Sequence, residues 1–374
     1  MAQRRVVLHV GLPKTGTSFL QRVLWDNVEA LADHGIHLGA PRRRHMFAAA
    51  LHLTGRNYDW DPVGIEPAQA WEQIRARARS TDGTTVISNE WLSTAPEDLA
   101  RRAVAELAGL EVHVVITVRD LARQLPAEWQ EGVKHGRGVS WPEFLKTVLG
   151  DGSRAELRER FWSAQDPLSV AHRWGGDLPP GQVHVVTCPP PGADPSVLWG
   201  RFAHVLEVPP ESVALPSRGI NTSLGRAQVE VLRRVNSVFP RRGQELRHRA
   251  LVKRYLVGEV LAPQAGERTV LPQRWRRRVE EVTADWETQI ASRQYDVIGD
   301  LADLRLTGQA NGKLKRDNDL VLKAFAESTR DLLVEIETLR AELAEARGRK
   351  SSGLVARVRN RLTRGEAPDE DDLP

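Results

Sequence analysis

Residues 6–25, VVLHVGLPKTGTSFLQRVLW, pass from a β-branched apolar run through a glycine-bearing turn into a segment with Leu20, Val23 and Leu24 at helical spacing. The pattern predicts strand, loop and helix start in that order. A loop in this position leaves the first N–H groups of the helix without carbonyl partners, and the helix dipole adds partial positive charge at the same point. Such a point suits an anion. Lys14 lies inside the loop, and Thr15, Thr17 and Ser18 add hydroxyl donors, so phosphate or sulfate is the group expected there. The plain alternative is a glycine turn that only joins a strand to a helix.

Four residues separate Gly11 from Gly16, the glycine spacing of a nucleotide P-loop. That loop also needs Lys and then Ser or Thr directly after the second glycine, to reach terminal phosphates and hold magnesium. Here Thr17 and Ser18 follow Gly16, and the lysine has moved into the turn. The run PKTGTS, from Pro13 through Ser18, resembles the 5'-phosphosulfate loop of sulfotransferases that use 3'-phosphoadenosine 5'-phosphosulfate (PAPS). The resemblance implies an α/β, three-layer P-loop-like fold with a central parallel sheet, an enzyme using PAPS as co-substrate, and no metal. It also implies that backbone N–H groups of Thr15, Gly16, Thr17 and Ser18 hold the phosphosulfate, while Lys14 offsets charge on the leaving oxygen. Phe19 stands where many relatives carry an adenine-stacking aromatic; packing into the core is its other reading.

Further motifs follow in the family's order. The run TTVIS at 84–88 is a strand that delivers Asn89, Glu90 and Trp91 at its carboxyl end, where ligand crevices of open α/β sheets lie. Glu90 is therefore the expected general base, accepting the acceptor's proton as the S–O bond forms. His45, beside three arginines, and Asp59, in a loop rich in turn residues, remain alternatives for that role. The apolar run VHVVITV at 112–118 reads as a strand buried on both faces, and it ends in Arg119. The continuation VRDLARQLPAEWQ resembles the second sulfotransferase signature, whose arginine and serine bind the 3'-phosphate. Arg119 matches the arginine. Leu121 stands in place of a usual proline, and Ala127 in place of the serine, a loss of one hydrogen bond worth about 1 kcal/mol. Asp120 as a magnesium carboxylate is disfavoured by the adjacent cation. The loop at 217–223 carries Arg218 and resembles the late arginine loop over the 3'-phosphate, although a helix cap from Asn221, Thr222 or Ser223 explains it equally.

Composition narrows the rest. With 41% hydrophobic residues and eleven tryptophans in 374 residues, the chain can bury a sizeable core. No apolar run reaches the roughly 18 residues of a membrane span, and the short run after Arg4 and Arg5 does not read as a secretory signal. The expectation is a cytoplasmic protein. Cys188 stands alone, which excludes an internal disulfide or a cysteine zinc cluster, and its apolar neighbourhood reads as core. A net charge of +4 with clustered arginines favours an anionic ligand over nucleic acid.

The domains expected are a sulfotransferase domain at 1–306, a linker at 307–317, a coiled-coil helix at 318–347 and a basic, then acidic, disordered tail at 348–374. Leu322, Phe325, Thr329, Leu332, Ile336, Leu339, Leu343 and Ala346 alternate three and four apart, a heptad seam of about four repeats. The seam predicts a homo-oligomer through residues 322–346; a helix packed on its own domain is the alternative. The segment Arg347 to Arg364 is strongly basic, with Leu354, Val355, Val358 and Leu362 on one face, which fits peripheral contact with an anionic membrane at the inner surface or a solvated tail. The function expected is sulfuryl transfer from PAPS to a hydroxyl or amine of a carbohydrate, lipid or other small-molecule acceptor. A P-loop small-molecule kinase and a non-catalytic nucleotide-binding scaffold assembled by the coiled coil are the alternatives.

Overall fold

Strands apolar on both sides are stable only where helices cover both faces, and the chain supplies helices between every pair of strands. In a computed structural model, which describes residues 4–56, 64–216, 223–239, 249–307 and 318–364, six strands form one sheet. They are β1 (Arg5–Gly11), β2 (Ile36–Leu38), β3 (Thr84–Ser88), β4 (Glu111–Val118), β5 (Val183–Thr187) and β6 (Asp296–Ile298). The order across the sheet is β2-β3-β1-β4-β5-β6, and every pairing is parallel. The chain moves to one side of β1 to build β2 and β3, then to the other side for β4 to β6. The crevice beyond β1 is therefore the switch point of the sheet, the place where ligands bind in folds of this kind.

The described helices begin with α1 (Thr17–Asp26), α2 (Val28–Asp33), α3 (Arg43–Leu53), α4 (Pro67–Ser80), α5 (Glu97–Ala105) and α6 (Leu121–Lys134). After them come α7 (Trp141–Leu149), α8 (Ala155–Gln165), α9 (Pro167–Gly175), α10 (Pro195–Leu206) and α11 (Arg226–Val238). One sheet face, with Val7, Val86, Val115 and Val186, packs under Leu20, Val23 and Leu24 of α1, Leu31 of α2, and Trp199 and Phe202 of α10. The opposite face carries Leu8, Ile87 and Val114, which pair across β1, β3 and β4. There α4 brings Ile74 over Gly39 near Ile87, and α9 sets Gly175 against Val183. Three layers result, with an all-parallel sheet in the middle.

Local chemistry sets several element boundaries. Strand β2 follows the turn at Gly35, because the residues before it complete α2. Helices α8 and α9 are separated at Asp166, whose side chain accepts from the Leu168 amide and caps α9, with Pro167 at its first turn. Helix α11 is capped by Gly225 with no side-chain bond; Asn221 and Thr222 lie outside the described residues, as do Asp59 and Arg218. The last helix runs Asn318–Arg364, so part of the expected tail is helical.

The chain divides into two compact units: residues 1–223 with 268–315, and residues 224–267 with 316–374. The boundary expected near 306 thus has an earlier counterpart at 224. The sheet belongs to the first unit. In the second, α11 packs with the helix Asn318–Arg364, and a helical segment with π-type bonding, Arg249–Leu261, packs on that helix too. No helix among the described residues is long and apolar enough to cross a membrane.

Phe202 of α10 is fully buried, with its ring 5.0 Å from the His9 ring in edge-on contact. Phe202→Ala leaves a cavity between sheet and helix. We expect a loss of about 3–5 kcal/mol in unfolding free energy, read from the urea midpoint at constant slope.

Candidate functional site

The loop after β1 is shaped from behind. Buried donors reach its carbonyls: Thr117 Oγ1 donates to Gly11 O (3.0 Å), Thr15 Oγ1 to Leu12 O (2.5 Å), Gln165 Nε2 to Pro13 O (3.4 Å) and Cys188 Sγ to Thr15 O (2.9 Å). Gln124 Nε2 also donates to Pro13 O, and to Gln165 Oε1 at 2.5 Å. In a trans peptide the N–H points opposite the C=O. Holding the carbonyls of Pro13 and Thr15 inward therefore turns the amides of Lys14 and Gly16 outward. Lys14 and Gly16 both adopt positive φ (66° and 88°), and at Gly16 a Cβ would collide with Leu198 Cδ2 at 2.5 Å. The amides of residues 14–18 have no backbone acceptor among the described residues. Helix α1 begins at Thr17 with no side-chain cap. Outward amides at an uncapped helix start form an anion cradle.

His9 underpins this arrangement. Its Nδ1 lies 2.8 Å from Ser88 Oγ and its Nε2 3.4 Å from Thr117 Oγ1, joining β1 to β3 and β4 directly beneath the loop. Complete burial lowers its pKa to about 3, so the ring is neutral at physiological pH. Burial pushes the Cys188 thiol up to about 12; as a neutral S–H donor it holds the loop, in keeping with its reading as a core residue.

The sheet order brings the expected groups to one edge. Glu90 follows β3, Lys14 follows β1 and Arg119 follows β4, on three adjacent strands. Glu90 opens a 3-10 turn, Glu90–Thr94, and its Oε2 accepts from Gln21 Nε2 of α1 at 2.8 Å. That turn is pinned from α9, where Trp174 Nε1 donates to Leu92 O (3.0 Å) and the buried Arg173 to Ser93 O (2.5 Å). Lys14 Nζ sits 2.7 Å from Glu131 Oε2 on α6, and Glu131 Oε1 is 3.1 Å from His135 Nδ1. Around this pair, burial raises the pKa of Glu128 and lowers that of Lys134. Arg119 donates from Nε to Gln124 Oε1 (3.1 Å) and from Nη2 to Arg123 O (3.0 Å). Burial draws its pKa down to about 10, which leaves it charged. Gln124 thus links Arg119 to the back of the loop.

Other candidates fall elsewhere or change role. Thr15 is 1% exposed and its hydroxyl is bonded inward, so the expectation that it donates to a ligand is corrected. Thr17 is buried and Ser18 exposed. Phe19 is half-buried and packs against the core shared by α1 and α10. His45 lies on α3, which packs on the Glu90 turn through Phe47 and Trp91, ring centroids 5.2 Å apart. Its Nδ1 is buried without a hydrogen-bond partner among the described residues. Its pKa is lowered by burial and by Arg44 and Arg42. Asp120 caps α6, accepting from the Arg123 amide at 2.9 Å, and pairs with the Arg123 side chain; its carboxylate is engaged in the fold.

Gln124, Gln165, Thr117, His9, Glu128 and Glu131 are the residues sequence reasoning missed. His9 and Thr117 carried a local signal, each a polar residue inside a largely apolar strand. Comparison of the chain with family models, curated proteins and solved structures finds no match.

Because His9 binds fewer protons folded than unfolded, stability falls as pH drops below its ordinary value of 6.5 and goes on falling toward about 3. Between pH 7 and pH 5 this amounts to about 2 kcal/mol. His9→Gln should lose stability over that interval by about 2 kcal/mol less than wild type, as measured by urea unfolding at both pH values.

Proposed function

We propose that the first unit is a PAPS-dependent sulfotransferase acting on a hydroxyl or amine of a carbohydrate, lipid or other small acceptor. The observation that carries this reading is the set of amides at residues 14–18 without a backbone acceptor among the described residues, those of Lys14 and Gly16 turned outward, beside the Lys14 side chain and one strand away from the charged Arg119. Two anionic ends of one nucleotide need two such points. The amides and Lys14 suit the 5'-phosphosulfate, and Arg119, with Gln124 behind it, suits the 3'-phosphate. Arg218 would add charge at that end.

The chemistry follows from these roles. Glu90 accepts the proton of the acceptor group as its oxygen or nitrogen bonds to sulfur. The bond from sulfur to the bridging phosphate oxygen breaks, and Lys14 together with the amides stabilises the charge that builds on that oxygen. A sulfuryl group carries less negative charge than a γ-phosphoryl, so a lysine suffices where kinases use magnesium. Engagement of Asp120 in capping α6 and pairing with Arg123 also disfavours a kinase-type magnesium site. Lys14 must leave Glu131 to meet the donor, so Glu131 opposes donor binding.

Calorimetric titration tests the reading. Wild type should bind 3',5'-adenosine bisphosphate without metal, at least about tenfold tighter than Lys14→Ala; Glu131→Gln should bind it about fivefold tighter than wild type, by release of the half-buried pair. Preference for ATP with magnesium would overturn the assignment. With labelled PAPS and a panel of carbohydrate, lipid and phenolic acceptors, Glu90→Gln should lose about 10²–10⁴ in kcat while keeping bisphosphate affinity. Binding without turnover on any acceptor would favour the scaffold reading instead.

A further inference from the structure

The helix Asn318–Arg364 uses one side within its own unit and leaves another open. Ala324 and Ser328, small residues one turn apart, are 2% and 3% exposed. Ser328 Oγ donates to Ala324 O at 2.7 Å and accepts from Gln264 Nε2 at 3.1 Å. The heptad seam runs beside this buried strip, with Thr329 and Leu332 half-buried and its other large apolar residues open. Leu322, Phe325, Ile336, Leu339 and Leu343 are between 43% and 63% exposed. From Ile336 to Leu343 the helix is exposed all round, and a lone helix in water is marginal. Such a seam of large apolar residues calls for a second helix with the same period.

The partner is identified by pattern and charge. In the heptad set by Leu322, the a positions are Leu322, Thr329, Ile336 and Leu343, and the d positions include Phe325, Leu332 and Leu339. A β-branched Ile336 at a between Leu332 and Leu339 at d is the combination that favours two parallel strands, and Thr329 at a is β-branched too, its hydroxyl donating to Phe325 O within its own helix at 2.8 Å. Glu335 falls at g and Arg340 at e of the following heptad, and the sequence repeats these two residue types at 342 and 347. Neither Glu335 nor Arg340 has an ion-pair partner among the described residues. In a parallel, in-register pair each g position meets the partner's next e position, so Glu335 meets Arg340 of the other copy, twice by symmetry. An antiparallel pair would set Glu335 against Glu335 and Arg340 against Arg340.

We propose that this seam pairs with the same helix of a second copy of the chain, forming a parallel, in-register two-stranded coiled coil. The proposal stands on the second unit alone and does not depend on the sulfotransferase reading.

Analytical ultracentrifugation of the full chain at micromolar concentration should give a dimer. Ile336→Lys with Leu339→Lys, both at exposed positions, should give a folded monomer with unchanged thermal unfolding of the sheet unit. Glu335→Arg or Arg340→Glu alone should weaken dimerisation about tenfold, and the two together should restore it to within about threefold. Leu343→Cys should form an intermolecular disulfide under mild oxidation, with the buried Cys188 of wild type as the silent control. A monomer at tens of micromolar, a trimer, or a dimer that Leu343→Cys fails to cross-link would each overturn the proposal.

Discussion

The orientation of the peptide planes between Gly11 and Gly16 is the constraint on which the crevice depends. The inward-bonded carbonyls of Pro13 and Thr15 fix the amides of Lys14 and Gly16 outward, and the partners that hold the loop from behind come from β4, α6, α8 and the end of β5. An anion site of this type needs no charged residue to be built, because oriented dipoles already supply the field. It does need a rigid back wall. Buried glutamines, a threonine and a thiol provide it, and their value comes from being satisfied: each is a polar group that would be costly to bury without its loop carbonyl.

Charge in the crevice is balanced within the protein. Lys14 and Glu131 neutralise each other across the loop and α6, with His135 on the far oxygen of Glu131. Arg119 is held by carbonyl and amide oxygens rather than by a carboxylate. That distinction bears on ligand selection. A cation solvated by neutral acceptors keeps its full charge available to an incoming anion, whereas a cation in an ion pair must exchange one partner for another, so the two ends of the crevice respond differently to the same ligand.

The second unit applies a different rule. Its long helix meets its own neighbours through Ala324 and Ser328, where small side chains allow close approach, and leaves most of its large apolar residues exposed. A helix packed only within its unit would bury the large residues first, since burial of each is worth about 1.5–3 kcal/mol. The reversed arrangement is the physical reason to look for a further surface.

Much of this was legible along the chain. The β-branched runs at β1, β3, β4 and β5 and the position of Lys14 between two glycines determined a parallel α/β sheet with a loop at a helix start, because strand and helix periods and glycine conformations are local properties. The placement of Glu90 and Arg119 at strand ends followed from the same runs. Strand β6 did not, since three residues with no apolar alternation become a strand only when β5 offers an edge. Nor did the ties of Gln124, Gln165 and Cys188 to the loop, or the pairing of Lys14 with Glu131: these join residues between 111 and 173 positions apart in the chain. The sequence by itself determined which chemical groups stand at the ends of which strands. Only the tertiary structure decided that β3, β1 and β4 are neighbours, that the Thr15 hydroxyl turns inward, and that the loop presents its amides, because peptide orientation is set by hydrogen-bond partners that the fold brings together from distant segments.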